Sequence, residues 1–210
     1  MILYISTILI AMIVISALNI IFGTAVFNYS ALYVIVAVIV STIFEIAIDG
    51  LFATIIEKMP AKYFKNGKNC FEVSKKERNF YEKLKIRKWK DKVIELGMFS
   101  GFRKNKIYNP TDPAYFERFI VESNKGIVIH IVCCIVGFFN IFILPFKYAL
   151  VISVPIAFVN LILNLLPTMI LRYNIPKLQI ALKRLNRTND TKTAEQIKEN
   201  DTKDSKETSK

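Results

Sequence analysis

The chain has 210 residues, a formal net charge of +12, 53% hydrophobic residues and a mean hydropathy of +0.36. Nucleic-acid binders share the charge but not the apolarity, so no nucleic-acid partner is expected. The charge is also segregated: residues 1–56 hold no Lys or Arg, residues 57–125 hold 18, residues 172–210 hold 10, and Lys147 is the remaining one. Apolar chain with basic blocks beside it is the pattern of an integral membrane protein with Lys/Arg-rich cytoplasmic segments.

The first 44 residues carry no charged side chain, and Gly23 with Asn28 divides the opening into apolar lengths near residues 2–22 and 31–52. About 20 apolar residues cross a hydrocarbon core, so residues 1–56 are expected to form a transmembrane hairpin. The opening length lacks the positive n-region and small-residue cleavage site of a signal peptide, and is expected to be a retained helix. Glu45 and Asp49 lie four apart on the second length, hence on one face of it.

Residues 57–125 form a basic segment. The stretch "NFYEKLKIRKWKDKVIELG" from Asn79 threads Phe80, Tyr81, Leu84, Ile86 and Trp89 among six Lys or Arg between Lys83 and Lys92. Such a mixture suits a membrane surface, where basic side chains meet anionic headgroups or an anionic ligand while apolar ones enter the interface. Ser74 with Glu77 predicts a capping box at a helix start, and Gly97 a helix end. The apolar spacing slips between Leu84 and Trp89, which predicts a bend or two short helices instead of one rod. Asp112 and Pro113 read as N-cap and first position of a further helix. Tyr115, Phe116, Phe119 and Ile120 mark one face of it.

Residues 126–171 hold two more apolar lengths, about 126–146 and 148–171, parted by the corner "LPFKY". Residues 172–188 are a juxtamembrane basic segment. Residues 189–210, almost without apolar content, are expected to be a disordered polar tail. The fold class expected is therefore an all-α integral membrane protein, with about four transmembrane helices in two hairpins and a basic amphipathic cytoplasmic helical segment between them. The uncharged link at 23–30 and the single Lys147 put the two short connections outside and both termini in the cytoplasm, in a multi-pass protein of the cell membrane.

Cys70, Cys133 and Cys134 support no disulfide framework, and the adjacent pair reads as packing residues, because no metal-ligand spacing accompanies it. Polar groups at membrane depth carry more information, since they are costly there and face a bundle interior or a cavity. They are Glu45 and Asp49, the sole histidine His130, Asn164 and, at the end of the fourth length, Arg172. The topology sets Asp49, His130 and Arg172 near one level at the cytoplasmic side, with Asn164 about 12 Å deeper from eight residues of helical rise. For each a structural role competes with a functional one. The nucleophile elbow, P-loop, HExxH helix and dinucleotide fingerprint are missing. His130 does not begin a His-x-x-x-x-Asp arrangement either, because position 135 is Ile.

Four ordered stretches, "MPAKYF" at Met59 to Phe64, "RKWKDK" at Arg87 to Lys92, "ERFIVESNKGIVIH" ending at His130 and "RYNIPKL" at Arg172 to Leu178, resemble the glycosyl-4,4'-diaponeurosporenoate acyltransferase family of staphyloxanthin-type carotenoid biosynthesis. The resemblance covers about residues 59–184 and omits the first span and the tail. It implies transfer of a fatty acyl group to a sugar hydroxyl of a carotenoid glycoside or another glycolipid, from an acyl-CoA or acyl carrier protein donor, with no cofactor beyond that acyl thioester co-substrate and no metal. That reaction needs a base for the hydroxyl proton, positive charge or donors for an oxyanion, and a cradle for an anionic carrier. His130, the one side chain with an ordinary pKa near neutrality, is the expected base, and Asp49 or Glu122 its orienter. Arg87, Lys88 and Lys90 suit the phosphates of the donor, with Arg172 as a second anion contact and Trp89 packing on the acyl chain or anchoring at the interface. Asn164, Tyr173 and Asn174 are further substrate contacts. The rival reading is a non-catalytic four-helix membrane subunit or scaffold whose basic segment binds anionic lipid or a partner.

Overall fold

The computed structural model describes residues 2–65, 67, 69–93 and 109–207, and among these every regular element is helical. In chain order they are α1 (Ile2–Phe27), α2 (Ala31–Glu57), α3 (Lys75–Lys83), α4 (Ile86–Trp89), α5 (Pro113–Val136), α6 (Phe146–Tyr148) and α7 (Val154–Glu207), with 3-10 turns at Ala61–Tyr63, Asn69–Phe71, Lys90–Lys92 and Gly137–Phe142 and a π-helical turn at Ala149–Ser153. Four helical stretches are long and apolar enough to cross a membrane: Tyr4–Gly23, Ala31–Glu57, Pro113–Phe142 and Phe146–Thr191. Their outward Leu, Ile, Val and Phe side chains are exposed in the isolated chain, from Ile5 to Ile180. Lipid is the solvent such surfaces require.

The central pair is α5 against α7. On α7, Leu171, Ile175, Leu178 and Leu182 follow one another at alternating four- and three-residue steps, and these face Phe116, Phe119, Ile120 and Ile127 of α5. That spacing keeps one apolar stripe on the partner helix over several turns. α2 packs on the other side of α5, where Ile56 joins Phe64 and Phe71 of the following turns against Val121, Val128, Ile129 and Val132. α1 is the outermost helix. It is held at its far end, where Asn19 Nδ2 donates to Ile15 O and Val151 O at 2.9 Å each and Ile15, Tyr29, Val34, Val38, Ile152 and Ile156 form one cluster.

Local chemistry fixes the turns. Asn28 adopts a left-handed φ of 53°, which a short polar side chain tolerates, and the Tyr29 N–H closes on Gly23 O at 3.1 Å. A side chain at Gly23 would meet the Tyr29 ring at 2.5 Å, so the glycine lets that ring pack across the helix end. At the same end Tyr148 packs at a tilt against Tyr29 and Tyr33 at centroid distances of 4.5 and 4.4 Å, and Lys147 lies over Tyr29 and Tyr148. Aromatic and cationic groups of this kind sit well at a headgroup boundary.

In the basic segment Ser74 caps α3 by accepting from the Glu77 N–H at 3.1 Å, and Asp112 caps α5 by accepting from the Ala114 N–H at 2.9 Å with Pro113 in first position. The slip in apolar register near Leu84 is a real break: Lys85 has φ 53° and separates α3 from α4. Gly97 and Leu96 lie outside the described residues. The polar run from Asn189 continues α7 as far as Glu207, with the Thr188 and Thr191 hydroxyls bonded back to Arg184 O and Arg187 O. A helix already nucleated by a long apolar span extends residue by residue without a new nucleation step, a coupling that composition alone does not register.

Candidate functional site

A cavity of about 740 Å³ lies among α1, α2, α5 and α7, within the range of small-molecule sites. Its wall on α1 is apolar apart from Tyr4, with Ile5, Ile8, Leu9, Met12 and Ile15, and Ile46, Ile156, Val159 and Leu163 continue that lining. Glu57 and Lys58, where α2 ends, line it at the end of the bundle that carries the basic segment. Within the bundle the polar lining comes from Tyr4 of α1, Thr42, Glu45, Asp49 and Thr54 of α2, His130 of α5, and Asn160 and Asn164 of α7.

Asp49, His130, Asn160 and Asn164 form one hydrogen-bonded group. Asn164 Nδ2 reaches Asp49 Oδ2 at 3.0 Å and Asn160 Oδ1 at 2.8 Å, and Asn164 Oδ1 meets His130 Nδ1 at 2.8 Å. Asn160 Nδ2 in turn approaches Asp49 Oδ1 and Cys133 O, each at 3.3 Å. The donors and acceptors order the group. A carboxylate only accepts, so Asp49 takes the amide N–H of Asn164 and turns that amide's oxygen towards the imidazole. An amide oxygen only accepts as well, so Nδ1 is the protonated nitrogen and the basic lone pair of the neutral ring sits on Nε2. An orienting acid, a relay and a histidine with a defined tautomer is the arrangement that general-base catalysis asks for.

The expected site residues divide sharply. Asp49, His130 and Asn164 come together, and Asn164 sits at the level of the other two, not about 12 Å beyond them. Arg172 is the residue that stands apart. Its guanidinium forms a bidentate pair with Glu77, with Nε on Oε1 and Nη2 on Oε2 at 2.8 Å, and also donates to Cys70 O and Glu72 O at 3.2 Å. Its donors thus clamp α3 and the preceding turn onto α7. Tyr81 completes the clamp by donating to Glu77 Oε1. The Arg172 hydrogen bonds hold the Glu77 carboxyl below its ordinary pKa against the opposing effect of partial burial. Burial, with the adjoining carboxylate, pushes Tyr81 up to about 12.

Glu122, the other expected orienter, points elsewhere: it pairs with Lys125 at 3.9 Å, and Lys125 is held by Glu57 through its carboxylate at 3.8 Å and its carbonyl at 2.9 Å. Along a helix, eight residues separate it from His130 by about 12 Å. Trp89, half-buried, packs beside Ile86, Tyr81 and Ile170 and donates Nε1 to Leu84 O at 3.0 Å. Arg87 and Lys88 are exposed, and Lys90 is half-buried beside Asp91 at 3.9 Å. Tyr173 joins the Trp89 cluster and carries Lys177 over its ring at 3.8 Å, and Asn174 is half-buried. None of these lines the cavity.

Asn160 is the member that the sequence reading missed. It stands four residues before Asn164, one turn away on the same face of an apolar helix, and that spacing of two amides was the available signal. Cys133 is buried with its thiol on Asp49 O at 3.8 Å, and Cys134 rests on Leu161 O at 3.7 Å. Both therefore act as packing residues. Among the described residues no group of three or more His, Cys, Asp or Glu could hold a metal ion.

A family model described as glycosyl-4,4'-diaponeurosporenoate acyltransferase matches residues 60–184. That range takes in His130, Asn160, Asn164 and the Glu77–Arg172 clamp, and leaves α1 and all of α2, with Glu45 and Asp49, outside it. No curated protein and no solved structure matches the chain.

Proposed function

From the premise that the chain belongs to the glycosyl-4,4'-diaponeurosporenoate acyltransferase family, we propose that it is a multi-pass cell-membrane O-acyltransferase that esterifies a sugar hydroxyl of a glycosylated lipid. The acceptor is a carotenoid glycoside such as glycosyl-diaponeurosporenoate, or another glycolipid, and the donor is a fatty acyl thioester carried by coenzyme A or by acyl carrier protein. One observation carries the reading: the Asp49–Asn164–His130 group lines a cavity that is also walled by Ile5, Ile8, Leu9, Met12 and Ile15 of α1. An acyl chain fits the apolar wall, and the reacting oxygen belongs beside the histidine.

In this mechanism His130 Nε2 takes the proton of the acceptor hydroxyl as its oxygen attacks the thioester carbonyl carbon. The carbon–sulfur bond then breaks, and the proton held on Nε2 passes to the departing thiolate, leaving an ester and a free thiol. Asp49 acts through Asn164, holding the imidazole in the productive tautomer and favouring the cation formed in between. The exposed Arg87 and Lys88 serve the donor's phosphates only at long range, as surface charge at the basic end.

The test is acyl transfer by the full chain in lipid nanodiscs, with an acyl-CoA and an alkyl glucoside. An acylated glucoside is expected from the native chain. Its absence, together with unchanged glycolipids in extracts of cells with and without the protein, would leave the membrane-subunit reading. The cytoplasmic placement of the basic segment has its own check. Cys70 is exposed, unlike buried Cys133 and half-buried Cys134, and an impermeant maleimide on intact cells is expected to leave it unlabelled.

A further inference from the structure

Most side-chain donors that line the cavity inside the bundle are already engaged. Asn164 gives its N–H groups to Asp49 and Asn160, and Asn160 gives its own to Asp49 and Cys133 O. The Thr42 and Thr54 hydroxyls turn back to Val38 O and Gly50 O at 2.8 Å each, and the Cys133 thiol rests on Asp49 O. Tyr4 of α1 is different. It is half-buried and lines the same cavity, yet its hydroxyl has no hydrogen-bond partner among the described residues. The enclosed polar atoms that lack a partner belong to Glu45, Ser123, Asn124 and Asn140, and Tyr4 Oη is not one of them. That hydroxyl stands within electrostatic reach of Asp49 and Cys133. Asp49 is bonded to Asn164, and Cys133 follows His130 by three residues, one turn on along the same face of α5. Tyr4 therefore meets the His130 group from the side of α1.

A tyrosine that anchors a helix at a membrane boundary keeps its hydroxyl among water and headgroups. This one lies by a carboxylate and a cysteine, with Ile5, Ile8 and Leu9 following it along the same wall. A phenol so placed is costly until an acceptor arrives. Acyl transfer creates that acceptor. As the sugar oxygen adds to the thioester carbonyl carbon, the carbonyl electron pair moves onto its oxygen, and the resulting oxyanion needs a fixed donor. We propose that the Tyr4 hydroxyl is this donor. It keeps its own proton throughout, and the oxyanion returns its electron pair to re-form the carbonyl as the carbon–sulfur bond breaks. The inference rests on the acyl-transfer reading of this cavity and adds the oxyanion donor to it, supplied by a helix outside the range that the family model matches.

Tyr4→Phe keeps the ring and removes only the hydroxyl. With the full chain in lipid nanodiscs, an acyl-CoA and an alkyl glucoside, kcat per folded molecule is expected to fall by about a hundredfold to a thousandfold. The KM of both substrates is expected to stay within about twofold, because the lost contact exists only in the transition state. An interfacial anchor predicts near-normal kcat instead, and that result overturns the proposal while leaving acyl transfer standing. A raised KM with kcat kept marks ordinary substrate binding and overturns it too. A second readout needs no turnover. A ring-fluorinated tyrosine is placed at position 4 of the full chain and followed by fluorine NMR while methyl undecyl ketone, whose carbonyl cannot transfer its chain, or tridecane is added. The ketone is expected to shift the resonance and tridecane to leave it in place, and equal effects overturn the donor role. If the native chain transfers no acyl group, a ketone-specific shift keeps Tyr4 as a carbonyl-binding donor and removes the acyl-transfer reading, whereas no shift removes both.

Discussion

Two polar constellations of this chain look equally promising as chemistry: Asp49, His130 and Asn164 in the apolar spans, and Arg87, Lys88, Trp89, Lys90 and Arg172 in and beside the basic segment. The bundle treats them in opposite ways. The first converges on one cavity through contacts of 2.8 and 3.0 Å, whereas the second disperses, with Arg172 drawn onto Glu77, Trp89 folded against Ile86 and Arg87 and Lys88 left outward. The difference lies in the solvent. A polar group inside a bilayer must find a protein partner or a cavity, so scattered positions on three helices are forced together. A cation at the surface is satisfied by water and headgroups and has no such need to converge.

His130→Gln strikes the convergent group most directly. It preserves a polar side chain and removes the base, and turnover per folded molecule is expected to fall by about two to four orders of magnitude. Near-normal turnover in that variant would reduce the group to structural glue between helices. Asn164→Leu tests whether Asp49 acts through the amide. Losing the relay removes the tautomer preference, and a fall of roughly a hundredfold is expected, accompanied by a changed pH profile of turnover that a merely structural amide would not produce.

On the dispersed side, Arg172→Gln is expected to act on stability. It removes a bidentate, partly buried pair whose side chains are 16% and 23% exposed, at about 2 kcal/mol for charge-assisted hydrogen bonds of this kind, measured by thermal unfolding in detergent. The pH dependence has a definite sign. The Glu77 carboxyl is held below its ordinary pKa in the folded chain, so its contribution is complete above the ordinary glutamate value of about 4.3. It is lost as the pH falls from there through the depressed native value. Glu77→Gln is expected to flatten that acid slope, and an unchanged slope would mean the clamp contributes little. The smallest effect belongs to Arg87 and Lys88. Replacing both by Gln is expected to raise the donor KM by no more than about threefold at low salt and not at all at 0.5 M salt, because exposed charges are screened. A large, salt-resistant rise would place the donor's phosphates directly on this pair and undo the contrast.

The class of the molecule and its local punctuation were legible in the amino-acid order. Apolar runs near 20 residues form helices long enough to cross a bilayer. Ser74 and Asp112 cap helices through their own side-chain oxygens, and the slip after Leu84 becomes a break because apolar periodicity is a property of one helix face. The shared face of Glu45 and Asp49 likewise followed from a four-residue spacing. Which faces meet was settled by packing between helices: that Asn164 and not Glu122 stands against His130, that Asn160 completes the group, and that Arg172 serves a clamp. The rotation and depth of each helix follow from contacts such as those of Leu171, Ile175, Leu178 and Leu182 on α5, and from Gly137 leaving space for Glu45. These join residues far apart in the chain, and no local spacing encodes them.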